Sequence, residues 1–184
     1  MSHAREKSGL LLLDVFNTFD FPGGDELYRE TLKVLEPIQK LAERFRQSHR
    51  PVIFINDNAG RWQDDFNALL SHVKSSGAKG ARMVDALYPQ QGDYKLLKPR
   101  HSAFFETPLP SLLSHFDVRR VVVCGIAADS CVLSTVMDAH TRGIEALVPA
   151  DGTASQTPER TARVLAHLRE SSGVDTPPSS KVTP

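Results

Sequence analysis

The sequence predicts an α/β domain: a three-layer α/β/α sandwich around a mostly parallel, doubly wound sheet of about five to six strands. Three observations carry this expectation. Leu10–Leu13, Val52–Ile55 and Val121–Cys124 are short, continuous apolar runs. A run without alternation belongs to a strand buried on both faces, as in a parallel sheet. Between and after these runs lie stretches of helical period, and strands alternating with helices wind into layers on both sides of one sheet.

Taken in order, the first strand is Leu10–Leu13. It follows the polar stretch MSHAREKSG, shows no cleavage pattern after it, and is far too short for a membrane span. Leu32, Leu35, Ile38, Leu41 and Phe45 then share one helical face. Pro37 interrupts that face and is expected to kink or split the helix, because proline lacks the N–H and its ring clashes with the preceding turn. Val52–Ile55 is the second strand, and Tyr94–Lys98 and Ile144–Val148 are weaker strand candidates. The run RRVVVCGIAADSCVLSTVMDAHTRG reads as strand, tight loop and helix. Gly125 ends the strand, Asp129 or Ser130 can cap the helix, and Gly143 can close it. A last helix is expected from about Pro158 to about Glu170, since proline suits a first helical position. From Ser171 the chain is rich in Ser and Pro. A loose tail is expected there, with one short edge strand near Val182 as its only candidate element. The division is therefore a single domain over residues 1–170 and a tail over 171–184, with no repeat or linker inside the domain.

A chain of 184 residues is long enough for one continuous core. Lys plus Arg and Asp plus Glu both number 22, so the formal charge is zero. That balance lacks the basic footprint expected for nucleic acid or an anionic membrane surface, and it permits a homo-oligomeric contact. Cys124 and Cys131 form no disulfide framework and lack CxxC spacing. Reduced thiols of this kind suit a cytoplasmic enzyme. No strand–helix turn carries GxGxxG, which leaves a dinucleotide role without support.

In doubly wound sheets, ligands bind at the carboxyl ends of the strands. Three reactive side chains sit at such ends. Asp14 directly follows the first strand, Lys98 closes Tyr94–Lys98, and Cys131 falls in the first turn of the helix after Val121–Cys124. Each has an ordinary explanation on its own. An Asp can serve a loop, a Lys can snorkel to the surface, and a Cys can fill the core, as is expected of Cys124. Together they place an acid, an ammonium and a thiol on one edge. A carboxylate can take the thiol proton and a lysine can hold charge beside the thiolate. Helix N–H groups at Cys131 are expected to favour the thiolate and to hold a developing oxyanion.

On these residues the chain resembles the isochorismatase-like cysteine hydrolase superfamily. This group includes nicotinamidases, N-carbamoylsarcosine and ureidoacrylate amidohydrolases, and isochorismatase. The resemblance runs from Leu10 to Ala154 through LLLLDVFNTF, VIFINDNAGRW, LLKPRHSAF, VVVCGIAADSCV and VPADGTAS. It implies a catalytic triad of Asp14, Lys98 and Cys131. It further implies a cis peptide between Ile126 and Ala127, and an oxyanion hole from the N–H groups of Ala127 and Cys131. Phe19 corresponds to an aromatic residue lining the family pocket, and Asn17 to a brace of the loop after the first strand. Dimers or tetramers are common in the group, so a homo-oligomer is implied.

Two departures bear on substrate. Nicotinamidases carry a metal-binding Asp-x-His after the second strand, where this chain has Asp57-Asn58-Ala59; no metal and no cofactor are expected. A Gln common two residues after the triad Asp is replaced by Phe16, which makes the pocket more apolar. Asn56, Arg61, Trp62, Arg100 and Phe104 lie in loops expected to wall the pocket. Trp62 can stack on a planar amide or pack a loop or subunit contact. Arg61 or Arg100 can read a carboxylate or simply be solvated. His101 is expected as pocket wall rather than ligand. The implied activity is hydrolysis of a C–N bond in a small amide, ureido or N-carbamoyl substrate through a thioester. The alternatives are an isochorismatase-type vinyl ether hydrolase, which needs no cysteine, and a non-catalytic binding domain on the same scaffold.

Overall fold

The computed structural model describes residues 7–184; residues 1–6, the start of the polar stretch MSHAREKSG, lie outside the described residues. The elements run β1 (Ser8–Leu13), α1 (Gly24–Gln47), β2 (Val52–Asp57), α2 (Phe66–Ser75), α3 (Ala78–Leu87), β3 (Tyr94–Lys98) and α4 (Leu109–His115). They continue with β4 (Arg120–Ile126), α5 (Leu133–Thr141), β5 (Glu145–Leu147), β6 (Thr153–Ala154) and α6 (Pro158–Ser172). The strands pair in parallel in the order β3-β2-β1-β4-β5, and β6 joins the end of β4. This is the expected three-layer, doubly wound architecture.

The continuous apolar runs are explained by the two layers. Leu10 and Leu12 pack with Ile38, Leu41 and Phe45 of α1, while Leu11 and Leu13 pack with Leu113 of α4, Val136 of α5 and Leu168 of α6. Successive side chains of a strand point to opposite faces, so a strand covered on both faces must be apolar at every position. The chain winds from β1 outward to β2 and β3, then returns across β1 to β4. The reversal leaves a crevice at the carboxyl ends of β1 and β4.

Pro37 does not split α1, which continues unbroken for 24 residues. A proline inside a helix, through its missing N–H and its ring clash with the preceding turn, costs about 3 kcal/mol. The buried face of Leu27, Val34, Leu35, Ile38, Leu41 and Phe45 contributes roughly 1.5–3 kcal/mol per side chain, so tertiary packing wins. Strand β4 runs past Gly125 to Ile126. Gly125 has φ +120°, and a Cβ there would lie 2.1 Å from the Leu13 carbonyl oxygen.

The segment after β4 also departs from expectation. A π-helical turn, Ala128–Val132, leads into α5, and neither Asp129 nor Ser130 caps it. The Asp129 carboxylate instead accepts from the Ser155 hydroxyl at 2.7 Å and from Arg160 Nε at 2.7 Å, which fastens this turn to the start of α6. Helix α6 begins at Pro158 as expected, with Thr157 as its cap accepting from the Arg160 N–H. Gly143 follows α5 with φ +69°.

The Ser/Pro-rich tail is packed rather than loose. Val148 N–H donates to the Asp175 carbonyl and Ala150 N–H to that of Pro177. Asp151 accepts from the Ser179 N–H and hydroxyl at 2.6 and 2.8 Å, and Arg44 donates to the Ser179 and Val182 carbonyls. Val182 belongs to no strand; it is buried in the layer beneath α1. The partners that fix this irregular segment come from α1 and from Asp151, so local composition carried no sign of them. No helix among the described residues is long and apolar enough to cross a membrane.

Candidate active site

The three strand-end side chains meet. Asp14 leaves β1 with φ +51°, and its Oδ1 accepts the Asp57 N–H at 2.6 Å. Its Oδ2 lies 2.9 Å from Lys98 Nζ as an ion pair without an aligned hydrogen bond. Lys98 is fully buried rather than snorkelling. Its ammonium donates to the Arg100 carbonyl at 3.1 Å and to Cys131 Sγ at 3.4 Å, and stands 3.9 Å from Asp57 Oδ2. Cys131 sits in the π-helical turn after β4, 9% exposed. The peptide between Ile126 and Ala127 is cis.

Burial is the largest influence on all three groups. It raises the Asp14 carboxyl above its usual range, with Lys98, the Cys131 thiol and the Asp57 N–H pulling it back only in part. Burial alone would lower Lys98, but the Asp14 carboxylate and the other negative groups outweigh it, so the ammonium is held more tightly than usual. The Cys131 thiol is pushed up to about 12 by burial and by Asp14, against the pull of Lys98. Burial and Asp14 thus act against the thiolate that the helix terminus is expected to favour. The site sets a thiol and an ammonium beside an acidic group of raised proton affinity. Such a set can move a proton from sulfur to carboxylate as a substrate carbonyl arrives.

These groups open into a cavity of about 380 Å³. Of the side chains expected to wall it, Asn56 does so, while clamping the loop after β1 through hydrogen bonds to the Phe16 N–H and carbonyl at 3.1 and 3.0 Å. Phe19 does not. Asn17 Oδ1 accepts the Phe19 N–H at 2.7 Å, and the resulting turn sends the ring into the core, edge-on to Tyr28. Phe104 is likewise buried in the layer of α4 and α5, with the Arg142 guanidinium over its ring. Arg61, Trp62 and Arg100 line a separate cavity of about 580 Å³. The turn from Asn58 to Arg61 carries that loop outward, Arg61 pairs with Asp64 at 2.5 Å, and Trp62 is 76% exposed.

Other residues take the vacant places. Phe16 and Phe21 reach the pocket from the loop after β1, Leu27 from α1, and Leu69, His72 and Val73 from α2. In sequence the helical ones read as core positions, and nothing in their spacing marks them as a ligand wall. His101 is wall, as expected, with Nδ1 3.7 Å from Cys131 Sγ and 3.1 Å from Ser130 Oγ.

The stretch Asp57-Asn58-Ala59 does not fit a metal ion. Asp57 Oδ1 accepts the Ala59 N–H at 2.6 Å, its Oδ2 faces Lys98, and Ala59 offers no donor atom. Among the described residues no three His, Cys, Asp or Glu side chains are grouped to hold a metal.

Comparison with known proteins adds to this geometry. A family model described as the isochorismatase domain matches residues 8–176. An uncharacterized isochorismatase family protein, YaaI, of Bacillus subtilis (strain 168) is 36% identical over 156 residues, 85% of each chain. A probable inactive nicotinamidase of Arabidopsis thaliana is 31% identical over 176 residues, 90% of each. Among solved structures, the N-carbamoylsarcosine amidase of Thermoplasma acidophilum superposes with a TM-score of 0.72 at 26% identity, covering 97% of this chain and 99% of that one.

Proposed function

The chain belongs to the isochorismatase family, and from that premise we propose that this hydrolase cleaves a C–N bond of a small amide, ureido or N-carbamoyl compound, with Cys131 as nucleophile. The observation that carries the reading is the position of one buried ammonium, 2.9 Å from the Asp14 carboxylate and 3.4 Å from the Cys131 sulfur.

In this scheme Asp14 accepts the thiol proton while sulfur bonds to the substrate carbonyl carbon. The oxyanion is held by the Ala127 and Cys131 N–H groups. Its collapse breaks the C–N bond, and Asp14 returns the proton to the departing ammonia or amine. The thioester left on Cys131 is attacked by water, whose proton passes to Asp14 and then to the released sulfur. Lys98 balances the negative charge shared between carboxylate and sulfur throughout. Only these groups and water take part. A vinyl ether hydrolysis would leave the sulfur beside the ammonium without a task.

The test is a screen of primary amides, ureido acids and N-carbamoyl compounds for ammonia release, run on the native protein and on Cys131→Ala. The variant is expected to keep its fold and to lose turnover by about 10⁴-fold or more. An unchanged rate in the variant would end the covalent scheme.

A further inference from the structure

We propose that the pocket selects uncharged small amides with an apolar substituent and rejects substrates that carry a carboxylate. The inference deepens the cysteine-hydrolase reading and rests on it for the identity of the reacting group.

One wall of the cavity is apolar, built from Phe16, Phe21, Leu27, Leu69 and Val73. It offers a substituent burial and no hydrogen bond. The charges at the reacting end are unbalanced. Asp14 and Asp57 both face the cavity, and among the described residues Lys98 is the only ammonium beside them. Two carboxylates against one ammonium leave an excess negative charge. Lys98 is fully buried, donates to Cys131 and the Arg100 carbonyl and is paired with Asp14, so its charge is already engaged within the protein.

The guanidinium groups able to pair with a carboxylate are elsewhere, and Asn17, Thr18 and Ser130 bring this pocket only neutral hydrogen-bonding groups. Arg61 and Arg100 line the neighbouring cavity, and Arg61 is already paired with Asp64. The imidazoles of His72 and His101, which do line the pocket, bring positive charge only when protonated. A substrate anion would therefore meet Asp57 without a partner. At the effective dielectric of a half-open site this is expected to cost roughly ten- to hundredfold in reactivity.

The sulfur itself reports on this without need of a substrate. Iodoacetamide is neutral and iodoacetate is its anionic counterpart, and both alkylate through the same carbon. Their rates at Cys131 are measured by peptide mass spectrometry at about pH 8.5. Each is divided by the rate at the same cysteine in the urea-unfolded chain. The expected result is a normalised preference for iodoacetamide of roughly tenfold or more, narrowing in Asp57→Asn. A ratio near one, or a preference for iodoacetate, overturns the inference; so does an Asp57→Asn ratio equal to that of the native protein.

A second arm compares turnover of benzamide with that of its 4-carboxylate. Preference for the carboxylate overturns the selectivity while leaving the cysteine chemistry intact. Loss of the cysteine chemistry would appear instead as undiminished turnover in Cys131→Ala, whatever the alkylation ratio.

Discussion

Lys98 and Cys131 show how burial and charge compete within a few ångströms. For the lysine, the neighbouring carboxylate outweighs desolvation and keeps the ammonium; for the thiol, desolvation and the same carboxylate outweigh the ammonium and keep the proton. The sign for reactivity follows. Only the thiolate attacks, and with the thiol pushed up to about 12 its fraction grows through the whole neutral and mildly alkaline range. Alkylation of Cys131 by iodoacetamide is thus expected to accelerate about tenfold per pH unit, with no plateau below about pH 10. A plateau near neutrality would show a preformed thiolate and contradict the electrostatic account. Cys124, buried within β4, is expected to stay unlabelled over the same range. The three reactive residues were legible in sequence because each ends or directly follows a recognisable strand run. Phe19, Phe104, Arg61, Trp62 and Arg100 were placed in the right loops but not on the right side of them. Side-chain direction in a loop is set by single turns, such as the Asn17 hydrogen bond to the Phe19 N–H, and these have no period to read.

Among the elements, the close parallel pairing of β1 and β4 constrains the site most tightly. Gly125 faces Leu13 across the ladder, with φ +120° and no room for a Cβ against the Leu13 carbonyl. Gly125→Ala is expected to destabilise the domain by about 3 kcal/mol or more, read as a large loss of Tm or of soluble protein. A variant as stable as the native chain would show that the β1–β4 approach is looser than described. The strands themselves were legible because burial on both faces leaves unbroken apolar runs. Helix caps were less so: Asp129 has the residue type of a cap, but it binds Ser155 and Arg160 across the fold. The split considered at Pro37 does not occur for the same reason, since propensity is local and the packing of α1 is not.

At the scale of the whole molecule, the reversal of strand order at β1 and β4 gathers Asp14, Lys98 and Cys131 from three distant stretches of chain at one edge. The alternation of strands and helices announced that crevice before any coordinate. The closing segment was not announced, because its partners Arg44 and Asp151 lie far away in sequence. Removing residues 179–184 deletes the buried Val182 and the Ser179 contacts with Asp151. A loss of roughly 2–4 kcal/mol is expected, or about 5–15 °C in Tm; an unchanged Tm would mean that the segment is not held as described. The covalent role of Cys131 has its most direct test in acid-quenched mixtures of the native protein with an amide that it hydrolyses, analysed by peptide mass spectrometry. The expected result is the substrate's acyl group attached to the peptide containing Cys131 while ammonia has already been released. Ammonia release without any acyl group on that sulfur, at a rate that Cys131→Ala matches, would contradict it.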